Sequence, residues 1–266
     1  MLPDLSSDYA ITKDQIDSFR RDGFILLRSV LTEAEMSVYR QAVLGLVEAE
    51  FRATKPMADR DAYGKSFVQI MHLWERSADV ARLSLCKRIG GIVAQLFGVA
   101  RIRIYHDQVL IKEPGGSSTA WHQDQYYVPL DTDNVLTMWM PMVPATPDMG
   151  TLKFAARSHT SGMLFNETIG ERTETYFDDL ITRQEMQTVQ IGEMRPGDAT
   201  FHFGWTIHAA PANTTDRIRE VFNALYFADP AHIVARGPWE DASRGHMKGL
   251  KFGQRVETDI NVIVYP

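Results

Sequence analysis

The chain has 266 residues, 44% of them hydrophobic, enough for one sizeable β-rich core or two small ones. A net charge of -6 and no clustering of lysine and arginine argue against a nucleic-acid partner. Cys86 is the only cysteine, which rules out an intrachain disulfide and a thiolate metal cluster and leaves His, Asp or Glu to hold any metal. The opening MLPDLSSDYAITKDQ has neither the basic start nor the apolar run of a signal peptide, and no stretch approaches the roughly 20 apolar residues of a membrane span. The expectation is a cytoplasmic protein without a membrane partner.

Residues 1–100 read as mainly helical support. Thr12 with Gln15 and Thr32 with Glu35 have capping-box spacing, and Gly23 stands where a first helix would end. Met36, Tyr39, Val43, Leu46 and Val47 recur at helical spacing, Phe24 to Leu27 reads as a short buried strand, and Val80, Leu83 and Ile89 suggest a third helix interrupted by Gly90 and Gly91.

From Arg101 the pattern changes to short alternating or β-branched runs divided by Gly, Pro, Asp and Asn. Strands are expected over 101–112, 120–127, 135–142, 151–154, 187–190, 199–203, 206–209 and 218–228. So many short strands imply a mainly β fold with helical support, a jelly roll or barrel over 101–230. The polar, strand-poor 161–186 segment reads as a lid-like insertion and 231–266 as a C-terminal extension, all within one domain spanning 1–266.

Chemistry concentrates in Trp121-His122-Gln123-Asp124-Gln125-Tyr126-Tyr127. On a strand, residues i and i+2 share a face, so His122 and Asp124 can converge on one ion while Gln123 points away. Two such ligands and a distant second histidine form the facial triad that binds Fe(II) and leaves positions open for a bidentate 2-oxo acid and dioxygen. Alone the motif is weak, because 8 histidines and 34 acidic residues give about one His-x-Asp/Glu match by chance. Downstream, Arg195-Pro196-Gly197-Asp198 precedes an apolar strand, then Gly204-Trp205-Thr206-Ile207-His208, Pro211-Ala212-Asn213 and finally Arg217 and Arg219. An arginine on a strand there could reach the distal carboxylate of 2-oxoglutarate, since guanidinium and carboxylate pair bidentately.

Over residues 11 to 230 the chain resembles the phytanoyl-CoA dioxygenase family. The resemblance is carried by Asp22-Gly23-Phe24, the WHQD motif, Gly150-Thr151-Leu152 to Ser158-His159, and the PGD, GWTIH and PANTTDRIR blocks. It implies a double-stranded β-helix of cupin-like form, iron held by His122, Asp124 and His208, and 2-oxoglutarate anchored by Arg219 with Arg217 as the fallback. Contacts to the cosubstrate are implied at Thr137 and Trp139, with Gln108 or Lys112 another candidate. His202 is the rival to His208 and is otherwise a histidine inside the barrel. His159 is expected to fix a turn, Gln123 to support the ligands, and Asn213 to shape the loop after His208. Tyr126, Tyr127, Trp205 and Trp121 are candidates for an aromatic substrate wall, against the simpler reading that they are core. The retained Asp124 carboxylate favours hydroxylation of a small molecule over halogenation. Desaturation, ring formation, a cupin-like hydrolase or isomerase, and a catalytically silent binding protein are the alternatives.

Overall fold

The computed structural model describes residues 2–238, 246–247 and 249–266. Both capping boxes form: Thr12 opens α1 (Lys13–Asp22), which Gly23 ends in the left-handed region, and Thr32 opens α2 (Glu33–Arg52). Between them runs β1 (Phe24–Leu27), and beyond them come β2 (Val68–Met71), α3 (Ala78–Ser84) and α4 (Lys87–Phe97). Gly90 and Gly91 do not interrupt a helix. They lie inside α4, and the break falls earlier, at Leu85 and Cys86. A Cβ on Gly90 would come within 3.0 Å of Val264 and Tyr265, so these glycines let the chain's last strand pack close against the helix.

The remaining strands are β3 (Ile102–Lys112), β4 (Thr119–His122), β5 (Val135–Pro141), β6 (Lys153–Ala155), β7 (Thr188–Gln190), β8 (Ala199–Phe203), β9 (His208–Ala210), β10 (Arg219–Ala228) and β11 (Ile263–Tyr265). They form two antiparallel sheets. The larger has the order β1-β8-β5-β10-β3, with β2 and β11 both pairing the outer edge of β3, and the smaller has the order β4-β9-β6-β7. This is the expected jelly roll, with β2 and β11 added to the strands read from sequence.

Alternation decides which side chains meet which layer. On the larger sheet Ile102, Ile104, Met138, Met140, Phe201, Phe222, Ala224 and Tyr226 face the helices, where they pack with Met36, Tyr39, Val43 and Val47 of α2 in one buried cluster. Fully burying a side chain of this kind contributes about 1.5–3 kcal/mol, so the helices hold the sheet from outside. The opposite face carries Gln108, Thr137, Trp139, His202 and Arg219 toward the smaller sheet. The inward side therefore holds the polar chemistry.

The expected strand over 120–127 stops at His122. Gln123 stays extended, at φ -122° and ψ 120°, and Asp124–Tyr127 form a 3-10 turn. The 161–186 insertion contains α5 (Glu171–Arg183), which packs on β4 through Trp121, Phe177, Leu180 and Ile181. Part of the expected extension, 239–245 and 248, lies outside the described residues. No helix among the described residues is long and apolar enough to cross a membrane.

Candidate active site

His122 on β4 and His208 on β9 are direct cross-strand partners in the smaller sheet, with ring centroids 4.1 Å apart. A pairing of two strands thus joins residues 86 positions apart. Because Gln123 is extended, Asp124 returns to the same side as His122, although it begins a turn rather than continuing the strand. Its Oδ1 lies 3.4 Å from His122 Nε2 and 3.7 Å from His208 Nε2.

Each ring is fixed through its other nitrogen. His122 Nδ1 donates to the Ala120 carbonyl at 2.7 Å, and His208 Nδ1 donates to the Thr206 carbonyl at 3.0 Å. A carbonyl only accepts, so the proton sits on Nδ1 and each Nε2 offers a lone pair toward Asp124. Burial, reinforced by the neighbouring His122, holds His208 well below the usual histidine range, which keeps the ring neutral. The ligand atoms of His122, Asp124 and His208 all lie within 4.8 Å of one another, the only such group among the described residues. Two neutral imidazoles and one carboxylate suit Fe(II) with positions left open.

The other carboxylate oxygen is also occupied. Thr137 Oγ1 donates to Asp124 Oδ2 at 2.6 Å, and His202 Nε2 donates to the same oxygen at 3.2 Å. Thr137 is therefore placed to orient a ligand, a role the sequence did not suggest, and His202 reaches the carboxylate without joining the triad. Phe154 floors this group, its ring 5.2 Å from His202 and 6.1 Å from His208. Removing the hydroxyl while keeping the shape, Thr137→Val, is expected to weaken Fe(II) binding by about 10- to 100-fold with little change in thermal stability, measurable by anaerobic metal titration.

The triad opens on a cavity of about 550 Å³ between the sheets. Arg219, at the start of β10, lines it and is 1% exposed. Its Nη1 donates to the Gly150 carbonyl, its guanidinium lies 5.3 Å from the Trp139 ring centre, and its Nε has no partner among the described residues. No carboxylate among the described residues pairs with it, and burial lowers its pKa to about 9. Gly150 has φ +84°, and a Cβ there would lie 2.3 Å from the Pro211 carbonyl, so the loop that receives Arg219 requires glycine. Arg217 is exposed and precedes the strand, so it does not share the inward face on which the fallback assignment depended.

Gln108 and Trp139 also line the cavity. Gln69 donates to Gln108, which donates to Asn223 at 2.8 Å, giving a chain of amides across β2, β3 and β10. Lys112 is buried but points under the following loop, where Nζ donates to the carbonyls of Ser117 and Pro211. The aromatic wall is revised. Neighbours on a 3-10 turn point about 120° apart, so Tyr127 lines the cavity and Tyr126 does not. Trp205 is off the wall as well, donating to Asp133 at 2.8 Å and lying beneath Arg236. Trp121 packs against α5. The aromatic rings facing the cavity include Tyr63, Phe67 and Tyr105, none of which stood out in the sequence.

Gln123 turns away from the ligands: its amide donates to the carbonyls of Gly162 and Trp205 and accepts from Leu164 N, anchoring the start of the insertion. Further along, Ile169 N donates to the Tyr127 hydroxyl at 2.7 Å, so Thr168 and Ile169 cover one side of the cavity. His159 bonds the Arg20 carbonyl at the end of α1 and stacks on Phe203, a tie across the fold rather than the local turn expected of it, whereas Asn213 shapes its loop through Thr215 N and the Arg217 carbonyl and also ties it to β3.

The model of the phytanoyl-CoA dioxygenase (PhyH) family matches residues 19–221. The chain belongs to this family. It is thus a dioxygenase of the non-haem iron and 2-oxoglutarate type. A methylphosphonate hydroxylase from Gimesia maris is 26% identical over 85% of this chain and 89% of its own length. Among solved structures, the non-haem α-ketoglutarate-dependent carbocyclase SnoK from nogalamycin biosynthesis superposes with a TM-score of 0.79 at 24% identity, covering 95% of this chain and 96% of that one. The epimerase SnoN, in complex with Fe3+, α-ketoglutarate and nogalamycin RO, gives a TM-score of 0.74 at 23% identity, covering 95% and 98%. These two likenesses establish the shared fold.

Proposed function

We propose that this oxygenase hydroxylates an unactivated C–H bond of a small molecule, with iron held by His122, Asp124 and His208 and 2-oxoglutarate anchored by Arg219. Bound iron and 2-oxoglutarate supply the oxidising chemistry, consuming dioxygen and releasing succinate and CO2. The observation that carries the reading is Arg219, a buried guanidinium with no acidic partner among the described residues, in the cavity that holds the triad. A buried cation is costly unless paired, and the C5 carboxylate of 2-oxoglutarate meets it with the bidentate geometry it is built for. A cupin-like hydrolase would have no need of such a group.

The other residues have separable tasks in this scheme. Thr137 and His202 hold Asp124 so that one oxygen faces the metal. Trp139 packs against the anchor, and Gln108 with Asn223 offers amide groups between anchor and triad. Tyr127 and the segment bonded to it restrict water on the open side. The cavity volume suits a small substrate, in keeping with the relative named for methylphosphonate. The single buried cysteine and the acidic composition support a cytoplasmic setting.

Purified protein given Fe(II), 2-oxoglutarate and oxygen is expected to form succinate slowly even without substrate. No succinate, together with no binding of 2-oxoglutarate under anaerobic conditions, contradicts the reading.

A further inference from the structure

The cavity has a second polar region that the triad and the cosubstrate anchor leave unused. His106 on β3 faces it, 6% exposed, and its Nδ1 has no hydrogen-bond partner among the described residues. The His246 ring stacks on His106 with centroids 4.7 Å apart, and His72 stacks on His246 at 4.9 Å. Tyr105 adjoins both His106 and His246, while His72 bonds Glu75 on its outer side. Rings stacked face to face send their in-plane nitrogens in parallel rather than toward one point. The cluster is therefore poorly arranged to chelate a metal, in accord with its absence from the groups that could hold one.

Charge narrows the ligand. Among the described residues the cavity is lined by a single carboxylate, Asp124, which the reading above gives to the metal, while burial holds His106 well below the usual histidine range and His246 down to about 4, so these two rings serve as neutral hydrogen-bonding groups. An ammonium group entering here finds no free counter-charge. An oxyanion finds imidazole N–H donors in a partly apolar pocket, where a charge-assisted hydrogen bond is strong. Position narrows the size. His106 pairs with Leu225, Leu225 with Thr137, and Thr137 with His202, so one strand separates His106 from the threonine that orients Asp124. At about 4.8 Å per strand this is a span of about 10 Å. Arg219 lies six residues along β10 from Leu225, about 20 Å away at the other end of the same face.

We propose that His106, backed by His246, is the specificity residue that binds an oxyanion head group of the substrate, a phosphonate or carboxylate on a short carbon chain, and so presents that chain to the triad. The proposal rests on the oxygenase reading above. His106 is a positioning residue rather than a participant in the oxidation.

The test is calorimetric, on protein loaded anaerobically with Fe(II) and 2-oxoglutarate and titrated with propylphosphonate, butyrate and propylamine. At least one of the two oxyanions is expected to bind and the amine is not. His106→Phe, which keeps a ring and removes the nitrogens, is expected to weaken oxyanion binding by at least about tenfold while leaving 2-oxoglutarate affinity within about twofold. His106→Gln restores a hydrogen-bond donor, is expected to recover part of the affinity, and serves as the decisive variant should the phenylalanine protein fail to fold. The proposal is overturned by an amine that binds as tightly as the oxyanions, by oxyanion affinity unchanged in the variants, or by wild-type protein that takes 2-oxoglutarate but neither oxyanion. Failure to bind 2-oxoglutarate itself removes the oxygenase reading and this proposal with it.

Discussion

Asp124→Ala is expected to abolish succinate formation, with a fall in rate of at least about a thousandfold and loss of tight iron binding. The size of the effect follows from what the carboxylate does in the folded protein. Oδ1 faces the free Nε2 atoms of both His122 and His208, while Oδ2 is held by Thr137 and His202. Removing it leaves two neutral imidazoles and no anion to offset a divalent cation, and leaves the Thr137 hydroxyl and the His202 N–H without their acceptor. Asp124→Asn keeps the shape and supplies a neutral oxygen, so it is expected to bind iron more weakly than wild type while folding normally. Succinate assays, metal analysis after desalting and thermal melts separate these outcomes. Wild-type succinate formation by Asp124→Ala would show that the metal sits elsewhere.

Arg219→Ala is expected to raise the dissociation constant for 2-oxoglutarate by about two orders of magnitude and to leave iron affinity unchanged. Deleting one partner of a buried, hydrogen-bonded charge pair costs about 2–5 kcal/mol, and a hundredfold loss lies within that range. Arg219→Lys keeps the charge but loses the planar fork and the packing on Trp139, so it is expected to recover only part of the loss. Arg217→Ala serves as the control: the side chain is exposed outside β10 and its removal should leave 2-oxoglutarate binding as it is. Equal effects at the two positions would contradict the assignment to the inward face.

The elements whose local chemistry dictates their form were legible in the sequence. Thr12 and Thr32 form the capping boxes their spacing implied, and β8 spans the residues expected from its apolar pattern. The triad was legible as a set because three ligands, two histidines and an aspartate, are followed in order by an arginine, even though His122 and Asp124 alone are near chance.

What escaped depends on contacts across the fold. Gly90 and Gly91 read as a helix break because their close neighbours, Val264 and Tyr265, are about 170 residues away. The short pattern at Val68–Met71 becomes a strand because β3 offers it an edge. The family resemblance implied a cosubstrate contact at Thr137; its bond to Asp124 could not be read there, because it depends on where the turn after Gln123 places that carboxylate. That same turn divides Tyr126 from Tyr127. His106 lies two residues from Gln108 on the same face of β3, but its stacking on His246 joins segments 140 residues apart.

The central claim, that His122, Asp124 and His208 hold iron beside an Arg219-anchored 2-oxoglutarate, is tested most directly by visible absorption under anaerobic conditions. Adding 2-oxoglutarate to the Fe(II)-loaded protein is expected to produce the charge-transfer band of a chelated 2-oxo acid, with one equivalent bound per chain. The band should be absent in Asp124→Ala and require far more 2-oxoglutarate in Arg219→Ala. A wild-type protein that binds Fe(II) yet develops no band at saturating 2-oxoglutarate would contradict the account.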